Sequence, residues 1–137
     1  MEPRQSHASH YIYWLIGLFV ILSITVGAAI WYGVQTDRRS AAYPNSRTVS
    51  QHSRYKFPRH YRWDDTFVTT DKIDQVFRWY SVTFDTGPES EANGGCSLIE
   101  GDQEGFYYKR YAGIMICEMG HERMIFINRT TELFPRN

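Results

Sequence analysis

The stretch YIYWLIGLFVILSITVGAAIWYG, residues 11–33, decides how this chain is organised. It contains no charged residue, and a helix of this length reaches roughly 30–35 Å, enough to cross the hydrocarbon core of a bilayer. Aromatic residues stand near both ends, as they do where a spanning helix meets the two membrane interfaces; they are Tyr11, Tyr13, Trp14, Trp31 and Tyr32. The stretch therefore predicts one transmembrane helix.

A secretory signal peptide is the competing interpretation, with Gly27-Ala28-Ala29 as a poor cleavage site. The apolar run is longer than that of a signal peptide, and Arg4 is the only basic residue before it. We therefore expect an uncleaved anchor. The predicted organisation is an N-terminal tail (1–10), a transmembrane helix (11–33), a basic arm rich in aromatic residues (34–63) and a small domain (64–137).

Small residues recur every four positions along this helix, and such rows let a neighbouring helix approach closely. The candidate packing residues are Ser23 with Gly27, and Thr25 with Ala29 and Gly33. The alternative is that these residue types are simply common in membrane helices. The span holds no His, Asp, Glu, Lys or Arg, which proton relays, ion paths and buried cofactor sites normally need. It is interpreted as scaffold.

The charges are unevenly distributed although the formal net charge is zero. Residues 34–63 carry seven Lys or Arg and one acid, whereas residues 64–137 carry seven basic and thirteen acidic residues. A basic arm of this kind neutralises anionic lipid heads, an acidic partner or the acidic half of its own chain. Nucleic acid is disfavoured as a partner, because a membrane-tethered acidic domain repels phosphate.

Two signals on membrane orientation conflict. Arg38, Arg39 and Arg47 follow the span closely while only Arg4 precedes it, which by the positive-inside rule favours a cytoplasmic C-terminal domain. The common bacterial pattern is instead a short cytoplasmic tail, one anchor and an exported domain. We expect a single-pass protein of the bacterial cytoplasmic membrane with its domain outside the cytoplasm.

The arm shows neither helical nor strand periodicity, and Pro44 and Pro58 interrupt any long helix. An irregular segment is therefore predicted over 34–63. Its aromatic residues are too many for an idle linker and form a candidate partner surface, consisting of Tyr43, Tyr55, Phe57, Tyr61 and Trp63. We expect the arm to lie against its own domain or against a neighbouring protein.

The small domain begins with a predicted strand over 66–70, after which Thr70 or Asp71 can cap a helix that ends near Phe84. One face of that helix is apolar, at residues Ile73, Val76, Phe77, Tyr80 and Phe84. Strands are predicted over 96–100, 106–111, 114–118 and 123–128, with turns at 101–105, 112–113 and 119–121. The prediction is an α+β fold: an antiparallel sheet of about five strands, in the order β-α-β-β-β-β, with one amphipathic helix packed on it.

Two of the predicted strands are apolar on both faces, namely IMIC (114–117) and MIFI (124–127). One short helix covers only one face of a sheet. The other face therefore needs cover, either from the aromatic arm or from another protein.

Chemistry-bearing motifs are few. His121 lies in a turn, and His52 and His60 have no third ligand at metal-binding spacing. Cys96 and Cys117 form a disulfide if their strands pair directly, and otherwise are small apolar fillers. No nucleophile motif or phosphate loop occurs. We expect no catalytic residue, no metal and no cofactor on this chain.

The segments DDTFVTTDKIDQVFRWYSVTFDTGPES (64–90), GGCSLIEG (94–101) and AGIMICEMGHERMIFIN (112–128) together resemble a type of small bacterial membrane-tethered α+β domain. The whole layout is similar to the small single-span accessory subunits of bacterial electron-transfer complexes, such as alternative complex III of phototrophic bacteria. That resemblance implies that haems, iron–sulfur clusters and the quinol site belong to partner subunits.

The sequence hypothesis is thus a non-catalytic accessory subunit of a multi-subunit membrane complex, in contact with other subunits and with membrane lipids. The alternative is a stand-alone membrane-tethered module that binds a small ligand or peptide.

Overall fold

The structure is a computed structural model that describes residues 7–56, 59–86, 90–92 and 95–134. Its elements are α1 (His7–Ala41), β1 (Arg47–Lys56), β2 (His60–Thr69), α2 (Ile73–Phe84), β3 (Ser90–Ala92), β4 (Cys96–Gly105), β5 (Tyr108–Met119) and β6 (Glu122–Leu133). The chain divides into two compact units, of which the first is α1 and the second is Ala42–Asn137.

Within the described residues, α1 is the helix that is long and apolar enough to cross a membrane, over His10–Ala41. It runs eight residues past the predicted boundary at 33, because the segment 34–41 contains neither Gly nor Pro. Arg38 and Arg39 lie in its last turn, where cations are favoured by the helix dipole. Tyr43 cannot continue the helix, because it precedes Pro44.

The second unit is an antiparallel sheet carrying one helix, which confirms the α+β class. The described strands are ordered β1-β2-β6-β5-β4-β3, and every neighbouring pair is antiparallel. The elements of this unit follow one another as β-β-α-β-β-β-β, so the strand count and order differ from the prediction.

The prediction of an irregular arm over 34–63 is wrong. Residues 34–41 belong to α1, residues 47–56 form β1 and residues 60–63 begin β2, with pairing from Arg47↔Val68 to Lys56↔His60. β1 is almost entirely exposed and polar, so it shows no alternation that would reveal a strand. Cations such as Arg54 suit an edge strand, because they discourage pairing with another chain.

Two predicted turns lie inside strands. Residues 101–105 belong to β4, and Ala112-Gly113 lies within the single long strand β5, which replaces the predicted strands 106–111 and 114–118. Gly101 and Gly113 instead allow neighbouring side chains to approach the backbone closely. A Cβ on Gly101 would lie 2.8 Å from Thr86 Cγ2, and one on Gly113 would lie 3.1 Å from the Tyr111 hydroxyl. The turn predicted at 119–121 is confirmed, with Gly120 at φ +65° between β5 and β6.

Helix α2 begins at Ile73 and packs through Val76, Tyr80 and Phe84, which recur every fourth residue and are buried. The predicted cap is wrong: Lys72 occupies the N-cap position without a side-chain hydrogen bond. The Asp71 carboxylate instead accepts a hydrogen bond from Tyr43. The buried side chains of this layer are Trp63, Phe67, Ile99, Ile114, Ile116, Ile125 and Ile127.

Candidate functional site

The predicted partner surface on the arm is mostly core. Tyr43, Tyr61 and Trp63 are buried, while Phe57 lies outside the described residues. Tyr55 is exposed and stacks on Tyr61, with ring centroids 6.4 Å apart. The prediction of a partner surface is therefore wrong for Tyr43, Tyr61 and Trp63, because these three side chains stabilise their own domain.

Tyr43 shows how this core is built. Its ring packs edge-on against Trp79 at 5.4 Å and lies 6.1 Å from the ring of Tyr80. Its hydroxyl donates to Asp71 Oδ2 at 2.8 Å. Burial, together with the hydrogen bond and the negative charge of Asp71, raises the pKa of Tyr43 to about 12. The contacts tie the segment before β1 to the start of α2.

The two cysteines are joined. Cys96 and Cys117 are partners in the β4–β5 ladder, with Cα atoms 4.1 Å apart, and they form a disulfide. The pairing arises because the two strands run antiparallel from the tight turn at 106–107. The bridge crosses the sheet on the face opposite α2, next to the apolar side chains described below.

That opposite face, here called the helix-free face, carries the side chains that alternate with the core residues along each strand. At its centre lie Leu98, Met115, Met124 and Phe126, all half-buried. No described segment of the chain packs over them as α2 packs over the other face. The expectation that the arm covers this face is wrong for the described residues, since 47–56 joins the sheet edge.

The helix-free face contains a hollow of about 320 Å³. Its lining includes Asp64, Leu98, Tyr111, Met115, Phe126 and Asn128. The hollow exists because Gly113, which pairs with Asn128 and Glu100, contributes no side chain at its floor. Most of its wall is apolar, with polar atoms at the rim.

Hydrogen bonds fix the polar rim of the hollow. The Tyr111 hydroxyl donates to Glu100 Oε1 at 2.5 Å, and this hydrogen bond, with burial and the Glu100 charge, raises the pKa of Tyr111 to about 12. Arg62 contacts Asp64 through a salt bridge of 2.9 Å. These pairings hold the charged groups of the rim in place.

The margins of the helix-free face carry opposite charges. Alternation places four basic side chains along β1 and β2, namely Arg54, Lys56, His60 and Arg62, which line a second hollow of about 340 Å³. It places Glu100, Asp102 and Glu104 along β4. The face is therefore apolar in the middle, basic at one side and acidic at the other.

The candidate packing residues of α1 lie in two rows on different sides of the helix. Ser23, Gly27, Thr25, Ala29 and Gly33 are all exposed. Positions two apart are about 200° apart around a helix, so the row of Ser23 and the row of Thr25 face different neighbours. The hydroxyls of Ser23 and Thr25 donate to the carbonyls of Phe19 and Ile21, each at 2.8 Å, which satisfies them in an apolar surrounding.

Among the described residues, no group of three or more His, Cys, Asp or Glu side chains converges as a metal site would require. His60 lies 3.7 Å from Glu132 in a surface ion-pair geometry. No protein-family model matches the chain, and no curated protein is significantly similar to it.

Sequence reasoning found the signal for the helix-free face but not its composition. The runs 114–117 and 124–127, apolar on both faces, pointed to it. Leu98, Asp64 and Tyr111 were missed because their place on this face depends on the register of β2, β4 and β5.

Proposed function

We propose that this protein is a non-catalytic accessory subunit of a membrane complex, inserted by α1 and docked on a neighbouring subunit through the helix-free face. The observation that carries the proposal is the half-buried apolar centre formed by Leu98, Met115 and Phe126. Apolar side chains gathered on one sheet face, and framed by polar groups, are typical of a protein–protein contact.

The charged margins define what kind of surface fits there. The complementary partner is apolar in the middle, acidic where it meets Arg54 and Lys56, and basic where it meets Glu100 and Asp102. Such complementarity fixes the orientation of docking and disfavours wrong partners more than it adds affinity. The arrangement excludes a simple symmetric contact in which basic margin meets basic margin.

The disulfide supports a domain outside the cytoplasm. Disulfides persist in oxidising compartments such as the bacterial periplasm and are rare in the cytosol. The Cys96–Cys117 bridge therefore supports the proposed orientation, in which a bacterial cytoplasmic membrane holds α1 and the sheet domain is exported.

The complex proposed is an electron-transfer assembly that oxidises quinol, of the kind exemplified by alternative complex III. Support for this part comes from the overall layout of one span and one small exposed domain. In such a complex the redox cofactors belong to other subunits, and this chain stabilises the assembly.

The test is purification of the protein from its native membrane in a mild detergent, followed by mass spectrometry and a visible absorption spectrum. The proposal expects recovery in a fixed ratio with other membrane subunits, and haem absorption if the complex transfers electrons. Recovery of a colourless monomer would contradict it. Recovery with cofactor-free subunits would retain the accessory role and remove the electron-transfer assignment.

A second candidate function is a membrane-tethered module that binds a small ligand or peptide. The hollow of about 320 Å³ favours it, since this volume lies at the lower end of small-molecule sites. In a screen of small apolar amines and carboxylates, a compound that binds the hollow would then raise the melting temperature of the full chain. Gly113→Leu, which fills the hollow, should abolish that rise, whereas the docking proposal expects no rise in either form.

A further inference from the structure

Three chain segments meet at one end of the sheet. They are the segment that contains Arg59 at the start of β2, the β4–β5 turn and the end of β6. The Leu133 N–H donates to the Arg59 carbonyl at 2.8 Å, and the Phe134 N–H donates to the Tyr107 carbonyl at 2.8 Å. These backbone hydrogen bonds hold the segments side by side in one surface.

Exposed aromatic side chains project from this surface. Phe106 is fully exposed at the tip of the β4–β5 turn, and Tyr107 and Phe134 are each more than half exposed. An apolar ring held in water is unfavourable, and folding of the domain gains nothing from Phe106. These three rings are therefore available to an external apolar phase.

Two cations lie at the same end of the sheet as the rings. Lys56 and Arg59 are exposed at the same end, and neither has a carboxylate within ion-pair distance among the described residues. The acids near them are engaged: Glu104 contacts Lys109 at 2.7 Å, and Glu132 lies 3.7 Å from His60. We call the set Lys56, Arg59, Phe106, Tyr107 and Phe134 the aromatic–cationic end.

We propose that the aromatic–cationic end binds the surface of an anionic lipid bilayer, and that this bilayer is the one that holds α1. Rings and cations side by side match a bilayer interface, where aromatic side chains sit at headgroup level and Lys and Arg contact phosphate. A folded surface built from backbone hydrogen bonds presents them without an ordering cost.

The tether selects the bilayer. A chain inserted through α1 keeps its domain within a few tens of ångströms of the same membrane, which corresponds to millimolar effective concentrations. A weak contact is sufficient at such a concentration. The inference uses the insertion of α1, and it shares one residue, Lys56, with the basic margin of the helix-free face.

The experiment uses the full chain in lipid nanodiscs with an environment-sensitive fluorophore on Phe106→Cys. The control carries the fluorophore on Val82→Cys, an apolar position on α2 that is also strongly exposed to water. In nanodiscs containing phosphatidylglycerol, the label at 106 should shift to the blue and be quenched by spin-labelled lipid. The label at 82 should remain accessible to iodide in water, and phosphatidylcholine discs or high salt should release the label at 106.

Charge variants test the cations separately. Lys56→Gln with Arg59→Gln should lower the ratio of membrane-bound to free label by roughly thirtyfold, since two cations are removed from an anionic surface. Lys72→Gln with Arg78→Gln removes the same charge from exposed positions at and on α2, away from this end, and should leave the ratio unchanged. Circular dichroism and melting temperature verify that each variant is folded.

Several outcomes would overturn the proposal. A label that remains in water in anionic discs removes the membrane contact, and equal burial in neutral discs removes the role of the cations. Burial only after separate anionic vesicles are added would assign the surface to another membrane. Burial only when co-purified subunits are present would assign it to a protein partner.

Discussion

Met115 of β5 and Phe126 of β6 stand directly opposite each other in the sheet, and both remain half-buried on the face that α2 leaves free. Their immediate neighbours along the strands, Ile114 and Ile127, point to the other face and are fully enclosed. Two adjacent residues of similar apolarity thus have different environments within one domain. The difference supports the proposal that the helix-free face docks on a neighbouring protein.

The helix-free face should tolerate truncation in the isolated protein. Phe126→Ala is expected to lower the free energy of unfolding by about 1 kcal/mol, because the ring is only half-buried. Phe67→Ala, in the enclosed layer under α2, should cost about 3–5 kcal/mol. Urea unfolding of the detergent-solubilised chain measures both. Equal costs would mean that the helix-free face is already covered within the chain.

The Tyr43–Asp71 contact should make stability fall in alkali. The folded pKa of Tyr43 is about 12, above the ordinary value of 10, so its contribution is fully present below pH 10 and is lost as pH rises towards 12. Tyr43→Phe keeps the ring against Trp79 and Tyr80 but loses the hydrogen bond, at a cost of about 1 kcal/mol at neutral pH. The variant should show a shallower loss of stability between pH 10 and 12, measured by urea unfolding across that range. If the unfolding free energy fell equally steeply with pH in both proteins, Tyr43 would not be the group whose ionisation destabilises the fold in alkali.

The disulfide should stabilise the domain through its closed loop. Cys96 and Cys117 are 21 residues apart, for which chain entropy gives about 3 kcal/mol. Full reduction should lower the free energy of unfolding by about 3 kcal/mol. The reduced native protein should retain the β4–β5 ladder. The Cys96→Ala/Cys117→Ala protein should not respond to reductant. A wild-type protein equally stable after verified reduction would contradict this prediction.

Substitutions in α1 should identify the row that meets a neighbouring helix. A Cβ on Gly27 or Gly33 meets nothing within 4 Å in this chain, so any effect of a larger residue arises outside it. Gly27→Leu and Gly33→Leu occupy different rows, and one of them should lower the recovery of partner subunits in detergent. Ala28→Leu, which lies in neither row, is the control. If neither variant alters recovery, the small residues have no packing role.

The sequence was sufficient for the membrane helix and for the turn that joins β5 to β6. Both depend on local patterns: an uncharged apolar run over 11–33, and short apolar strands separated by a turn at Gly120. Helix α2 was found from the spacing of Val76, Tyr80 and Phe84, since burial on a sheet requires that spacing.

The arm could not be predicted because its structure depends on distant partners. β1 is mostly polar and almost entirely exposed, and it is ordered by its backbone pairing with β2, which leaves no trace in its own pattern. Gly101 and Gly113 were mistaken for turn residues because the side chains that crowd them, Thr86 and Tyr111, come close only in the folded sheet. The charged margins of the helix-free face likewise depend on strand register.

The most direct test of the docking role compares two charge substitutions at apolar positions in the native membrane. Met115→Glu places a charge at the centre of the helix-free face, and Val82→Glu places one on the exposed side of α2. Each variant is purified in mild detergent, with its fold verified by circular dichroism, and co-purified subunits are counted by mass spectrometry. The account predicts that Met115→Glu loses its partner subunits by tenfold or more while Val82→Glu retains them. Equal recovery of partners with both variants would contradict docking through this face.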